Sequence, residues 1–258
     1  MGSWWHGSLF RISWMFFLGC SIWGNPETDP GSVEIDISAP KPVDPDFGVE
    51  TVLDRYFAAN QGRSQIQKIQ SIRLAGTVEE GKSSVPFTLI KKRPNRAHLT
   101  YHFEGYEIFT IYDGEKVSRV LKSEEQIKIL ELNSAEKAKF IRDARFNSIL
   151  VEYSDRFQEI QLIGEAEIRG LPCYQIQIEG KEGPIQVYVD QLKYRVLRED
   201  YDTAEGAFSF SYGKYETLNG VWFPYEIKVQ NLAGSYVLNI ETIELNIGLF
   251  DSFFSDLP

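Results

Sequence analysis

Residues 208–229 read FSFSYGKYETLNGVWFPYEIKV, which is the pattern of two strands joined by a turn. Aromatic residues alternate with serine from Phe208 to Tyr212, and apolar residues alternate with charged ones from Tyr225 to Val229. Alternation with a period of two is typical of a strand with one buried face. Asn219-Gly220 lies between the two halves, and Asn-Gly is a strong turn signal between antiparallel strands. The segment therefore predicts a β-hairpin.

The same alternation recurs on both sides of this hairpin. It is found at Val85–Leu89, Ala97–Phe103, Tyr106–Tyr112, Glu115–Leu121, Tyr174–Ile178, Ile185–Val189 and Tyr236–Ile240. Strands and helices do not alternate regularly, so the strands are expected to follow one another in an antiparallel meander. We count ten or eleven strands and three helical segments. The predicted fold class is α+β and mostly β: a single large curved antiparallel sheet with helices against one face.

Three segments have the spacing of helices. Apolar residues from Val49 recur every three or four positions and predict an amphipathic helix that ends near Gly62. Ser64 is a candidate cap for a second, short helix. The region Ser123–Phe146 predicts a third, with Ser134 as its N-cap and a weakly apolar face made by Ala135, Ala138, Ile141 and Ala144. This last helix is either a mobile cover over the sheet or an ordinary surface helix.

Residues 1–24 have the composition of an export signal. Arg11 is their only charged side chain, and residues 12–24 are almost wholly apolar. The apolar run is shorter than the ~20 residues that a membrane-spanning helix needs, although an uncleaved anchor is the alternative. The chain is therefore expected to be exported.

The segment Phe17-Leu-Gly-Cys20 resembles a bacterial lipobox, with Phe17 where Leu is usual. Cys20 is thus a candidate for lipidation, and membrane association would follow from a lipid anchor at this residue. Cleavage after Ser21 or Gly24, which would discard Cys20, is the alternative. We expect the protein in the periplasm or at the periplasmic face of the outer membrane.

Residues 25–46 form a separate compositional zone. They hold five of the eleven prolines of the chain, and six acidic residues against the single Lys41. Acidic, proline-spaced sequence cannot build a packed core and stays extended. We predict a disordered tether over 25–46, followed by one domain over 47–258.

Charge and residue types exclude several classes of function. With 27 Lys and Arg against 37 Asp and Glu, the net charge is −10, which argues against a nucleic-acid partner. His98 and His102 lie four apart on one predicted strand, about 13 Å from each other, too far to hold one ion. They are expected on a solvated face. Cys173 starts an apolar strand and is interpreted as a small buried residue.

Catalytic machinery is not evident from the sequence either. Adjacent carboxylates such as Glu199-Asp200 point to opposite faces of a strand and make no acid–base pair. We therefore predict that the protein is not an enzyme, with no catalytic residues, no metal site and no cofactor.

The apolar strand faces are the most informative candidates for a site. They carry Phe87, Leu89, Leu99, Tyr101, Phe103, Ile176, Phe208, Phe210 and Tyr212. One interpretation is core packing beneath the helices. The other is a cavity face that binds the acyl chain of a lipid, because a large apolar cavity needs no catalytic groups.

The order of several motifs resembles the outer-membrane lipoprotein-sorting family, whose type member is the periplasmic lipoprotein carrier of the Lol pathway. They are VLDRYFAAN at 52–60, IQSIRLAGT at 69–77, PFTLIKKRPN at 86–95, YDGE at 112–115, LIGE at 162–165, GLPCY at 170–174, YVD at 188–190, YGKYETLNGVWFP at 212–224 and FSDLP at 254–258. The resemblance implies an incomplete, half-open antiparallel barrel with helices covering the concave face. Family members carry lipoprotein acyl chains, bind lipids or sense envelope damage.

Two expectations for function follow from this resemblance and from the residues. The first is a non-catalytic cell-envelope protein that binds acyl chains of lipids or lipoproteins, for lipoprotein sorting or lipid transport. The lipobox at Cys20 and the long tether fit an anchored acceptor better than a diffusing carrier. The alternative is an interaction or sensor module with a solid core and an envelope protein as its partner.

Overall fold

The computed structural model describes residues 40–44, 46–156, 159–180, 183–203, 206–232 and 234–255, with only the backbone for 154–156. The predicted export signal, Cys20 and most of the predicted tether lie outside the described residues.

The described residues form thirteen strands, four α-helices and one 3₁₀ helix. The strands are β1 (Ser71–Glu80), β2 (Ser83–Lys92), β3 (Arg96–Phe103), β4 (Tyr106–Tyr112), β5 (Val117–Lys122), β6 (Ile127–Leu130), β7 (Ile160–Ile168), β8 (Leu171–Gly180), β9 (Gly183–Asp190), β10 (Val196–Thr203), β11 (Gly206–Leu218), β12 (Val221–Asn231) and β13 (Gly234–Leu245). The helices are α1 (Val49–Ala59), α2 (Arg63–Gln67), α3 (Ser134–Asp143) and α4 (Ile149–Arg156), and the 3₁₀ helix spans Asp251–Phe254.

All of these strands belong to one antiparallel sheet in the order β6-β5-β4-β3-β2-β1-β13-β12-β11-β10-β9-β8-β7. Two meanders, β1 to β6 and β7 to β13, are thus joined by the pairing of the first strand with the last. The sheet does not close, because β6 and β7 are its two ends. This confirms the predicted fold class, a mostly β half-open barrel with helices.

The predicted hairpin at 208–229 is present as β11 and β12. Asn219 and Gly220 have φ values of 51° and 77°, and positive φ at both positions is what a two-residue type I′ turn requires. Gly220 also lies against the turn that follows α1, since a Cβ atom there would come within 2.5 Å of the Gln61 side chain. The turn therefore sets both the strand register and the contact between the sheet and the helical layer.

The number of elements was underestimated by the sequence, chiefly within Ser123–Phe146. That region is not one helix, because β6 precedes α3 and pairs with β5. The cap is also one residue earlier than predicted: the Asn133 side chain accepts from the Glu136 N–H at 2.9 Å, and the Asn133 N–H donates to the Glu136 carboxylate at 3.0 Å. This reciprocal pair is a capping box.

The inner face of α3 differs from the predicted one. Ala135, Ala138 and Ile141 are exposed, whereas Phe140 and Ala144 are buried against β3 and β4. One aromatic ring decides the orientation, because burying Phe140 removes more apolar surface from water than burying small alanines. The second short helix likewise begins at Arg63 after Gly62, so Ser64 lies inside its first turn and does not cap it.

The main core fills one part of the concave face. Val52 and Leu53 of α1 and Leu150 of α4 pack on Ile176 and Val187, which are fully buried in β8 and β9. Apolar side chains at alternating strand positions meet helical residues spaced three or four apart, so the two periods predicted from sequence form one interface. Helices α1 and α4 are thereby fixed over β8 to β10.

The outer face of the other meander is covered by the C-terminal strap, defined here as residues 246–255. Phe254 is 1% exposed and packs on Phe109 and Val120. Asp251 pairs with Lys92 at 2.6 Å and also with Arg96. The strap therefore combines one deeply buried ring with a surface ion cluster.

His98 and His102 were both predicted to lie on a solvated face, but the structure places them in different environments. His98 is partly buried under the strap, 4.8 Å from the Phe253 ring and 5.5 Å from the Phe109 ring. Its expected solvated position is wrong because the strap covers this part of the outer face. His102 is exposed, and its Nδ1 lies 3.5 Å from a Glu107 oxygen.

The last described part of the predicted tether pairs with the sheet. The Lys41 N–H donates to the Glu165 carbonyl oxygen, and the Glu165 N–H donates to the Lys41 carbonyl oxygen. Both N···O distances are 2.8 Å. Gly164 allows this approach, since a Cβ atom at that position would lie 2.5 Å from the Lys41 oxygen. Residue 41 thus covers part of the free edge of β7.

Candidate functional site

A cavity of about 780 Å³ lies between the concave face of the sheet and the helical layer. Its wall comes from β1 to β3 and β10 to β13 of the sheet. Helix α3 and the residues after it line the opposite side. Leu74, Leu89, Ile227 and Leu238 are only half-buried, unlike the core under α1 and α4. The concave face is therefore solid at β8 and β9 and open from β10 across the sheet centre.

Six of the nine residues proposed from sequence line this cavity: Phe87, Leu89, Leu99, Tyr101, Phe210 and Tyr212. The other three do not. Phe103 packs with Ile108 and Leu121 near the end of the sheet, and Ile176 is fully enclosed in the main core. Phe208 stacks on Tyr201, with 4.7 Å between the ring centroids. The Arg142 guanidinium lies 4.4 Å from the centroid of the Phe208 ring.

The first turn of α3 is anchored to the sheet by a buried ion pair. The Arg119 guanidinium lies 3.1 Å from the Glu136 carboxylate, and the two side chains are 3% and 14% exposed. Arg119 also donates to the Thr110 hydroxyl at 3.0 Å. A buried arginine with these partners orients the helix, because removing either partner would leave a charge in a desolvated site.

The other end of α3 is held by Lys91 of β2. Its ammonium donates to the carbonyl oxygens of Asp143 and Arg145, at 2.5 and 3.0 Å. Carbonyls at a helix C-terminus lack intrahelical partners and carry partial negative charge, so a lysine stabilises them. Burial nevertheless lowers the pKa of Lys91 to about 8, against the opposing effect of Asp143 and Glu152.

A buried carboxyl group lies on the sheet side of the cavity. Glu199 accepts from the Tyr201 hydroxyl at 2.7 Å and also interacts with the Tyr212 hydroxyl. Burial raises the pKa of Glu199, although both tyrosines and Arg145 act in the opposite direction. Asp200 points the other way, to Arg198 at 2.6 Å, so the predicted divergence of this carboxylate pair is confirmed.

The sequence reasoning missed the polar residues of the cavity. Besides Glu199 they include Lys91, Lys139, Arg142 and Arg145. Charged residues near the end of a helix are usually solvated. Nothing in the sequence therefore indicated that Lys139, Arg142 and Arg145, on and after α3, line the cavity. Lys91 follows Phe87 and Leu89 in the alternation of β2, and this phase could have placed it on the concave face.

The arrangement offers binding surface and few reactive groups. Among the described residues, no group of three or more His, Cys, Asp or Glu side chains could hold a metal ion. Cys173 is fully buried, as predicted, and burial raises the pKa of its thiol to about 11. It is therefore a thiol and not a nucleophilic thiolate at neutral pH.

A helix that crosses a membrane must be both long and strongly apolar. Throughout the described ranges, none combines sufficient length with sufficient apolar character.

Comparisons by sequence gave no match, neither to a family model nor to a curated protein. Solved structures do match. A DUF1329 family protein from Desulfovibrio piger aligns over 80% of this chain and 96% of its own, with a TM-score of 0.55 and 16% identity. An outer membrane lipoprotein-sorting protein domain from Vibrio parahaemolyticus aligns over 80% of this chain and 95% of its own, with a TM-score of 0.52 and 14% identity.

A LolA superfamily protein from Nitrosomonas europaea aligns over 81% of this chain and 98% of its own, with a TM-score of 0.52 and 14% identity. These values concern the backbone arrangement, since so few side chains are shared. The chain has the half-barrel fold of these lipoprotein-sorting and LolA-superfamily structures, which confirms the fold that the sequence motifs imply.

Proposed function

We propose that the protein is a non-catalytic binding protein of the cell envelope, and that it holds acyl chains of a lipid or lipoprotein in the half-barrel cavity. The observation that carries this proposal is the half-buried apolar wall around a volume of about 780 Å³. Pockets for small apolar ligands commonly measure about 300–1,000 Å³ and combine an apolar lining with a few polar groups.

The binding residues in this proposal are the six predicted residues that line the cavity. Phe87, Leu89, Leu99 and Tyr101 form a continuous surface on β2 and β3, where Leu89 is opposite Leu99 and Phe87 is opposite Tyr101. Phe210 and Tyr212 lie across the cavity on β11. An acyl chain between these two surfaces would be shielded from water on both sides, which is the main source of affinity for an apolar ligand.

The cellular setting is part of the same proposal. Residues 1–24 act as the export signal, Cys20 is the site of lipidation, and 25–46 is a spacer between the lipid anchor and the domain. The fold similarity supports an envelope role, because two of the matched structures are described by lipoprotein sorting or the LolA superfamily. Anchoring would make the protein an acceptor or a resident lipid-binding lipoprotein.

The direct test is mass spectrometry of organic extracts from the chain purified without detergent. We expect lipid or fatty acid in a stoichiometric amount, with the amount reduced by substitution of the cavity wall. The Leu89→Asp and Leu99→Asp variants should lose it, and Leu232→Asp is a matched control because Leu232 is 85% exposed. A clean extract together with no uptake of added fluorescent fatty acid would contradict the proposal.

A second candidate is an envelope interaction module, and one observation favours it. Strand β6 is an end of the sheet, and its Ile127 and Ile129 are 56% and 64% exposed. An exposed edge with apolar side chains can accept a strand from another protein. If the extract is clean, crosslinking from position 128 in cells should capture a protein partner, and a negative result would exclude this candidate.

A further inference from the structure

His98 of β3 is enclosed between the sheet and the C-terminal strap. The centroid of its ring is 4.8 Å from that of Phe253 in the strap and 5.5 Å from that of Phe109 in β4. Both ring nitrogens are buried, and among the described residues neither has a partner at hydrogen-bonding geometry. A neutral imidazole has one N–H donor and one acceptor nitrogen, and the closed strap leaves both unused. The strap therefore covers a titratable ring that water would solvate better.

A positive charge on His98 is unfavourable while the strap covers it. Burial lowers the pKa of His98 below its ordinary 6.5, and this effect exceeds that of the Phe253 backbone, which raises it. Desolvation disfavours the charged form of a histidine, so the sign agrees with the enclosed position of the ring. Once the strap leaves, the ring is hydrated and its pKa returns toward the ordinary value. A proton therefore binds more tightly to His98 when the strap is open.

The charged side chains that share the outer face with His98 are already paired with one another. Each of three carboxylates has basic partners at salt-bridge distance: Arg73 for Glu244, Lys92 and Arg96 for Asp251, and His102 and Lys122 for Glu107. They belong to the strap and to the strands on both sides of β3. A charged His98 would therefore have to share a carboxylate that already has a partner.

The other attachments of the strap do not change in mild acid. Asp251 is its ionisable side chain, and hydrogen bonds from Arg96 and Lys92 lower the pKa of that carboxyl to about 2. The Phe254 ring packs on Phe109 and Val120 at any pH. His98 is thus the group through which a moderate fall in pH acts on the strap.

We propose that the C-terminal strap is an acid-sensitive cover, closed over neutral His98 and opened when His98 is protonated. The stability of the closed strap is fully present above pH 6.5 and is lost as the pH falls toward the closed-state pKa of His98, which lies below 6.5. Between these limits the ratio of open to closed strap rises by up to about tenfold for each pH unit, because opening takes up one proton.

Opening uncovers an apolar surface on the side of the sheet opposite the cavity. Leu99 and Tyr101 line the cavity and alternate with His98 along β3, so the strap and the cavity lie on opposite faces. The uncovered surface includes Val120, which is opposite Ile129 of β6, itself 64% exposed. The device is separate from acyl-chain binding, and its failure would leave that proposal intact.

The test is amide hydrogen exchange of the full chain from about pH 5 to 8, the range in which histidine changes charge. Results are expressed as protection factors, so that the intrinsic pH dependence of exchange cancels. Amides of the strap, such as the Phe253 N–H that donates to the Phe250 carbonyl at 3.2 Å, should lose protection several-fold on acidification. Amides of β8 and β9 should keep theirs. An NMR titration of the wild type measures the pKa of His98 directly.

Variants assign the effect to one ring. His98→Phe keeps an aromatic ring and removes the site of protonation, so its strap should stay protected throughout this pH range. His102→Phe is the matched control, because His102 is an exposed histidine of the same strand and its loss should leave the pH dependence of the strap unchanged. Urea unfolding of both variants checks that the fold is retained.

Three results would overturn the proposal. The first is strap protection in the wild type that does not fall on acidification. The second is an equal fall in the wild type and in His98→Phe. The third is a pKa of His98 that is not below the ordinary value of 6.5, and this measurement needs no variant.

Discussion

Single residues divide the concave face into a solid part and an open part. Ile176 of β8 is fully buried under α1 and α4, whereas Phe210 of β11 borders the cavity. Three successive pairings connect them, from Ile176 to Val187, then to Glu199 and to Phe210. The two side chains belong to the same face of the sheet, so their difference comes from what covers them. Substitution at these positions therefore reports directly on the cavity.

A charge placed at Phe210 should have a different effect from the same charge at Ile176. Phe210→Glu is expected to abolish fatty-acid uptake while the domain stays folded, because a carboxylate that borders the cavity can remain hydrated. Ile176→Glu should unfold the domain, since an unpaired buried charge costs several kcal/mol. Fluorescent fatty-acid binding and urea unfolding measure the two effects. If Phe210→Glu unfolds as Ile176→Glu does, Phe210 is a core residue.

Glu199 should make stability depend on pH. Its folded-state pKa is raised above the ordinary value of 4.5, so the unfolded state ionises first as the pH rises. Folding stability is therefore lost between pH 4.5 and the folded-state pKa, by about 1.4 kcal/mol for each unit of the shift. Glu199→Gln should remove this loss and be the more stable protein at pH 7 and above. Urea unfolding from pH 4 to 8 tests it.

The control for this prediction is Glu216→Gln, because Glu216 is an exposed residue of the neighbouring strand β11. Its stability curve should run parallel to that of the wild type. Parallel curves for Glu199→Gln as well would mean that the buried carboxyl has no raised pKa.

At the scale of elements, the strands were predictable and the covering segments were not. Alternation and turn residues located β11 and β12, because a half-buried strand needs a period of two whatever surrounds it. In contrast, β6 is only four residues within a charged region, and it is a strand because β5 offers a partner edge. The strap is stabilised by distant residues, so local periodicity contains no signal for it.

The polar lining of the cavity was unpredictable for a related reason. A β-bulge shifts the register between Val196 and Arg198, and Glu199 therefore returns to the face of Val196 although the two are an odd number of residues apart. Lys139 and Arg142 face the cavity because Phe140 fixes the rotation of α3. Both placements depend on packing between elements far apart in sequence.

Phe254 should anchor the C-terminal strap. Phe254→Ala is expected to destabilise the domain by about 3–5 kcal/mol, the range for a buried aromatic ring replaced by alanine. Phe250→Ala is the matched control, since Phe250 is 86% exposed and should change stability by less than about 0.5 kcal/mol. Thermal and urea unfolding measure both variants. Equal stabilities would show that the strap contributes nothing to the fold.

The ion cluster of the strap should respond to acid. Hydrogen bonds from Arg96 and Lys92 lower the pKa of Asp251 to about 2, below its ordinary 3.8. Its contribution is therefore present above pH 3.8 and is lost as the pH falls toward 2. Asp251→Asn should remove the contribution at neutral pH. Limited proteolysis near residue 250 should then be faster in the variant at pH 7, with little difference between variant and wild type at pH 2.

At the scale of the molecule, one sheet has two differently supported parts. Beneath α1 and α4, strands β8 and β9 belong to a closed core. At the far end of the sheet, β6 has one neighbouring strand and exposed isoleucines. The half-open barrel was predictable from strand count and from the resemblance of its motifs. The position of the open part could not be predicted from the sequence, because it depends on where the helices pack on the sheet.

Amide hydrogen exchange should follow this division. We expect the slowest exchange in β8 and β9, around Ile176 and Val187, because their opening requires loss of the main core. Exchange should be fastest in β6 and its turn. Strands β2 and β3 should become more protected when hexadecanoic acid is added, while β8 and β9 stay unchanged. Uniform protection across the sheet would contradict this order.

The pairing of the first strand with the last has a consequence for how the chain matures. Leu74 is opposite Ile243, so nearly the whole domain separates two residues that are neighbours in the centre of the sheet. Until β13 has been synthesised, β1 and β12 both remain open edges and the cavity has no central wall. The two meanders can form early, but they join only after β13 has been made. A cavity walled by strands of both meanders therefore does not exist before β13 has paired with β1.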